Sequence, residues 1–179
     1  MADTVVQHPA QAISIDQAKT EKLFYVVANV VVYRRSDGRC LLLKRHDREI
    51  VHPGKYGVIG GKFEWLDYDL AHPGRMNGSV IDFPNAIEDL LSREAMEEAG
   101  IAISRSLAYL NSVAYVRPDG VPAILVKFAA EYAGGDVKLE MGSFSDYVWA
   151  NEGEAQELPC IHGIVDEIRQ TIRRFSTVK

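Results

Sequence analysis

The stretch "LLSREAMEEAGI" at residues 90–101 decides how the rest of this chain is read. Within it Glu94, Glu97 and Glu98 stand at i, i+3 and i+4, spacings that share one face of an α-helix. Ile87, Leu90, Leu91, Ala95 and Met96 recur at close to the helical period around them; Pro84-Asn85 supplies a start signal and Gly100 a stop. Three carboxylates on one face repel one another and weaken the helix unless something positive sits among them. A divalent cation is the natural partner, because Mg2+ takes hard oxygen ligands and keeps waters and phosphate oxygens in its shell. A solvated acidic face would leave the same letters in the sequence, so the neighbourhood has to choose.

Upstream, "LFYVVANVVVYRR" (23–35) is β-branched and aromatic, breaks at "SDGR" and resumes as "CLLLKRH" (40–46). That pattern predicts a strand pair around an Asp37-Gly38 turn. "HDREIVHPGKYG" reads as a loop, and "YGVIGG" as a short strand ending in Gly60-Gly61. Downstream, "LAYLNSVAYVR" and "VPAILVKFAAEY" flank "PDG" as a second hairpin. "GGDVKLEMGSFSD" reads as a loop, "YVWA" as a short strand and "NEGEAQEL" as a turn or short helix. In "CIHGIVDEIRQTIRRF", Ile161, Ile164, Val165, Ile168, Ile172 and Phe175 form one apolar stripe of an amphipathic helix. The order predicts an α/β fold with helices on both faces of a mixed sheet.

The 179 residues fit one domain, expected over 21–179 behind a tail at 1–20 without the pattern of a secretory signal. A net charge of −5 disfavours a broad nucleic-acid contact but leaves room for a phosphorylated small molecule neutralised by metal or local basic groups. No apolar run is long enough to span a bilayer, and Cys40 and Cys160 read as reduced packing residues; a cytoplasmic location is the expectation.

Arg93-Glu94-Ala95-Met96-Glu97-Glu98-Ala99-Gly100-Ile101 resembles the second half of the Nudix hydrolase signature. That signature runs Gly, five residues, Glu, seven residues, then Arg-Glu-aliphatic-x-Glu-Glu-x-Gly-aliphatic. The resemblance implies a Nudix-like α/β/α sandwich. It also implies metal-dependent hydrolysis of a diphosphate linkage in a nucleoside diphosphate derivative, with Mg2+ or Mn2+ as cofactor. By the same resemblance Glu94, Glu97 and Glu98 are metal ligands, Arg93 orients the glutamates, and Gly60 and Gly61 turn the backbone tightly beside the phosphates. Lys62 adds positive charge, Arg45 and Tyr56 are further substrate-binding candidates, and Glu64 is an additional metal contact. The general base is Glu98 or an acid of a later loop, Glu140 or Asp146. Phe24, Tyr25, Tyr56, Phe63 and Trp65 could stack a base or belong to the core. A homodimer is compatible with the family.

The first half of the signature departs from the pattern. With Gly61 as its glycine, the arginine would fall at 75 rather than 93, so about 18 residues are inserted, near 66–83. The isolated glutamate becomes Asp67 or Asn85 depending on where the insertion is placed, and Asp89 offers Arg93 a local partner. The insertion is either passive surface or a lid that affects specificity, with His72 and Arg75 as phosphate contacts or solvated side chains. Two other functions stay open. One is a Nudix-like protein that senses a nucleotide without cleaving it. The other is an isomerase of the same fold, which would need Cys40 to face the pocket.

Overall fold

The computed structural model describes residues 10–176. Of the expected tail, residues 1–9 lie outside the described part; exposed bends and a short 3-10 turn at Thr20–Lys22 lead into the first strand.

Strands β1 (Tyr25–Arg34) and β2 (Arg39–Arg45) form the expected antiparallel pair, Tyr33 opposite Cys40, with Gly38 at φ +71° in the turn. The segment "YGVIGG" is two strands rather than one: β3 (Tyr56–Gly57) pairs with β2, and β4 (Ile59–Lys62) pairs with β1. β1 therefore changes partner along its length, meeting β4 at Val27–Val30 and β2 at Tyr33–Arg34.

The insertion folds as a hairpin of its own, β5 (Arg75–Asn77) and β6 (Val80–Asp82), turning at Gly78 and separate from the main sheet. Helix α1 (Ala86–Ala99) follows, ending where Gly100 turns left-handed and its N–H reaches the carbonyls of Ala95 and Met96. After β7 (Ala102–Ile103), β8 (Ala108–Val116) and β9 (Pro122–Gly134) make the second hairpin. Next come β10 (Phe144–Ala150), a short α2 (Glu152–Gln156) and α3 (Ile164–Ser176). Among the paired strands of the described residues only β1 and β9 run parallel and the others are antiparallel, so the eight-stranded sheet is mixed.

Successive residues of a strand face opposite sides of a sheet, and β1 uses both sides. Ala28, Val30 and Val32 pack with Leu41, Leu43 and Ile59 under Leu90, Leu91, Ala95 and Ala99 of α1. Val31 and Tyr33 pack with Cys40 and Leu42 against Ala155 of α2 and Ile164 and Ile168 of α3. This is the expected sandwich. Two details of the helices differ from the sequence reading. Met96 is exposed, because α1 turns its buried face through Leu91, Ala95 and Ala99. Ile161 precedes α3 instead of joining it, since Gly163 at φ +92° interrupts the helical path. No described helix is long and apolar enough to cross a membrane.

Candidate active site

Gly60 and Gly61 sit on β4, the strand over which α1 lies. A Cβ on Gly60 would stand 2.6 Å from the Ala28 carbonyl oxygen and closer still to the Asn29 side chain. One on Gly61 would overlap the Glu94 side chain. The paired glycines are thus what lets the acidic helix face approach the sheet this closely. The Gly60 N–H donates to Glu98 Oε2 at 3.2 Å, tying the two halves of the motif together.

Glu98 is the most perturbed carboxyl of the group. Burial pushes its pKa up to about 8; the Gly60 amide opposes this, Glu94 and Glu140 push further up, and Arg45 pulls down. Glu94 is raised as well, first by burial, with Arg93 opposing and Glu97, Glu140 and Asp67 adding to it. Glu140 is brought to the site by the loop after β9, whose Glu140 N–H donates to the Glu98 carbonyl at 3.0 Å. Three acids from two elements therefore act on one another, which is the electrostatic condition that favours a cation.

Arg93 sits among acids too. It meets Glu97 at 2.9 Å, Glu94 at 3.1 Å and Asp67 at 3.3 Å. Asp67, one of the two positions to which the isolated signature glutamate could correspond, thus reaches Arg93 from the near end of the insertion. Asn85 stands at the start of α1 in a left-handed conformation without a side-chain cap. Asp89 does not pair with Arg93: its partner is Arg105 at 2.6 Å, on the side of the helix facing the loop before β8.

Glu98, Gly60 and Arg45 line a cavity of about 200 Å3 between β4 and the start of α3. Arg45 is held there by Glu49 and by the Val51 carbonyl, at 2.6 Å. Gly61, Lys62, Glu94, Glu97 and Glu140 are not on its lining. Tyr56 is a core residue, 7% exposed, whose hydroxyl donates to Asp146 Oδ2 at 2.9 Å; neither lines the cavity. Glu64 is exposed and makes no side-chain hydrogen bond or ion pair among the described residues. Phe63 packs beneath α1 and Trp65 is exposed; none of the aromatic residues singled out from the sequence reaches the cavity, where Phe144 stands instead. Asn29, Lys127, His162 and Glu167 also line it, and no motif spacing pointed to them.

Among the described residues no three His, Cys, Asp or Glu side chains are gathered closely enough to hold an ion by themselves. The donor set suits a cation that keeps most of its water: Mg2+ is commonly bound by one or two carboxylates plus substrate phosphates. Glu94 and Glu98 could serve as such a pair, whereas Glu97 is exposed and engaged by Arg93. Cys40 is buried and its thiol is pushed up to about 12 by that burial, so it stays protonated and away from the cavity.

No family model matches the chain. It is 26% identical over 140 residues to the NAD-capped RNA hydrolase NudC of Pectobacterium atrosepticum, covering 78% of this chain and 44% of that protein. It is 28% identical over 120 residues to NudC of Vibrio atlanticus, covering 67% of this chain and 35% of that protein. The chain thus spans less than half the length of these curated relatives. Among solved structures, the MutT Nudix hydrolase of Burkholderia pseudomallei superposes with a TM-score of 0.60 at 22% identity, over 83% of this chain and 98% of that one. The Nudix domain of Shewanella oneidensis NrtR, solved with ADP ribose, gives 0.62 at 17% identity, over 89% and 95%.

Proposed function

Proceeding from a chain that belongs to the Nudix family, we propose a divalent-metal-dependent hydrolase that cleaves the diphosphate linkage of a nucleoside diphosphate derivative. The observation that carries this reading is Glu98: a half-buried carboxyl in a cavity wall, fixed by the Gly60 amide, with Glu94 and Glu140 in its field. Glu94 and Glu98 would hold the metal, Mg2+ or Mn2+, with Glu97 as a third ligand on leaving Arg93. When bound, the metal supplies Lewis acidity toward the phosphoryl oxygens and neutralises charge that builds as the anhydride breaks.

The chain's own groups do the rest. Glu140 takes a proton from the attacking water as its oxygen bonds to phosphorus; the bridging P–O bond breaks, and two phosphomonoesters leave. The Gly60 N–H orients Glu98, and Arg93 holds Glu94 and Glu97 in place. The relatives' activity on an NAD cap supports dinucleotides of the NAD type as the substrate class. The net charge of −5 weighs against a long RNA backbone as part of it.

The test is release of nucleoside monophosphate from NAD, ADP-ribose, sugar nucleotides, dinucleoside polyphosphates and nucleoside triphosphates, with Mg2+ or Mn2+ and with chelator. Cleavage of one class that chelator abolishes is the expected result. Metal-dependent binding without cleavage would transfer the chain to the sensing role.

A further inference from the structure

We infer that the Lys127–Glu167 pair in the wall of this cavity is a specificity determinant that reads the amino-bearing edge of a ring on the substrate. The inference rests on the reading above that the cavity takes substrate. The register across three strands sets Gly60 beside Asn29 and Asn29 beside Lys127, so one row of the sheet crosses the cavity. Further along the same face β1 is apolar, with Val31 and Tyr33 packed against the α3 layer. In this row the chain instead carries an amide and an ammonium. From α3, Glu167 meets the ammonium: Lys127 Nζ donates to Glu167 Oε1.

The pair is an expensive way to fill space. Glu167 is 2% exposed, between Ile164 and Ile168 on a helix that otherwise buries apolar groups, and apolar residues of similar volume would serve stability at least as well. It is also incompletely used. Among the described residues Glu167 Oε2 is buried without a hydrogen-bond partner, and of the three protons on Lys127 only the one toward Glu167 is engaged. An idle buried acceptor beside idle donors is a cost unless a ligand completes them.

The complement is an N–H donor next to an acceptor: an exocyclic amino group beside a ring nitrogen, or a carboxamide. A carboxylate repels phosphate, so this wall faces a ring of the substrate, leaving the phosphates toward the acids of α1. At about 200 Å3 the cavity is smaller than the ~300–1,000 Å3 of pockets for whole ligands, and suits one ring. Phe144 and His162 supply flat faces there. In an NAD-type substrate that ring is the adenine or the nicotinamide.

Three dinucleotides separate these sources: NAD, deamino-NAD, which lacks the adenine amino group, and nicotinic acid adenine dinucleotide, whose carboxylate replaces the carboxamide. Their Kd and kcat/KM would be measured for the wild type, Glu167→Gln, and the doubly neutral Lys127→Gln/Glu167→Gln, with melting curves as the check on folding. The wild type should favour NAD over one analogue by about ten-fold or more, mainly in Kd and KM, and both variants should bring that ratio toward one. Loss of discrimination against deamino-NAD puts adenine in the cavity; loss against the nicotinic acid form puts nicotinamide there. Ratios unchanged by the variants, or near one in the wild type, overturn the inference, and the wild-type ratios decide should the variants not fold. Discriminating binding without cleavage would refute the hydrolase reading alone, and cleavage without discrimination would refute this one alone.

Discussion

At the scale of single residues, Glu98 trades stability for chemistry. A carboxyl held half-buried beside two other acids disfavours its own ionisation. Glu98→Gln, which removes a carboxylate from the proposed metal site, should cut turnover by about 100-fold or more while leaving the metal-free protein's melting temperature equal or higher, read by activity assay and calorimetry side by side. A drop in both would make Glu98 a structural residue. The two glycines separate in the same way. Gly60→Ala drives a methyl onto the Ala28 carbonyl, a backbone atom that cannot swing away, and should cost about 1–3 kcal/mol in denaturant unfolding. Gly61→Ala meets the Glu94 side chain first, a group that can swing aside, so metal affinity should weaken with little change in stability. Asp67→Ala should lower kcat with glutamate restoring it, whereas Asn85→Ala should leave kcat unchanged, because only Asp67 contacts Arg93. The exposure of both Asp67 and Arg93 keeps the stability effect small.

At the scale of elements, the insertion is an independent hairpin pinned at its base. Tyr68 and Phe83 bring their rings within 4.8 Å where the segment leaves and returns, and Arg75 pairs with Asp82 at 2.8 Å across the hairpin. His72 pairs with Asp69 at 2.8 Å, so the two side chains once candidates for phosphate contacts are both engaged within the insertion. With Arg93 and Asp89 the insertion lines an open cleft of about 400 Å3 beside α1. Joining residues 69 and 83 through a short Gly-Ser link, which spares Asp67, should change KM and substrate preference more than the metal concentration giving half-maximal rate. Unchanged kinetics across the substrate panel would make the hairpin passive surface. Nothing in the letters 66–83 announced it: each strand has three residues, too few for alternation to show, and Gly78 marks a turn without saying what it joins.

At the scale of the whole molecule, the two layers on either side of the sheet meet different demands. The α1 layer carries the acids and the α3 layer carries Glu167. Burial raises the Glu167 carboxyl above its ordinary value, with Lys127 pulling the other way. The folded state therefore holds that proton more tightly than the unfolded chain. The corresponding stabilisation is complete below the ordinary glutamate range and is lost as pH climbs through the raised folded value. Glu167→Gln removes this loss, so its melting temperature should fall less steeply than the wild type's across that window. Identical slopes would show that Glu167 carries no net shift. Glu94 and Glu98 contribute with the same sign, so some slope remains in the variant.

The sequence by itself determined the long strand pairs, α1 and α3, and the acidic half of the site. Helical spacing places Glu94, Glu97 and Glu98 on one face wherever α1 packs, and alternation along β1 and β2 divides their residues between two layers. Such patterns are local, written within a few residues of one another, and read without knowing the neighbours. Tertiary structure alone decided the rest of the pocket. Asn29, Arg45, Lys127, His162 and Glu167 come from separate strands, a loop and a helix, and no spacing along the chain links them. Tyr56, which resembles a ligand-stacking ring in the sequence, becomes core and binds Asp146, while Asp67, remote from Arg93 in sequence, becomes its partner. The physical reason is that a site's electrostatics depend on distance through space. Burial and contact are properties of the packed sheet, and a carboxylate acquires its chemistry only when folding takes it out of water.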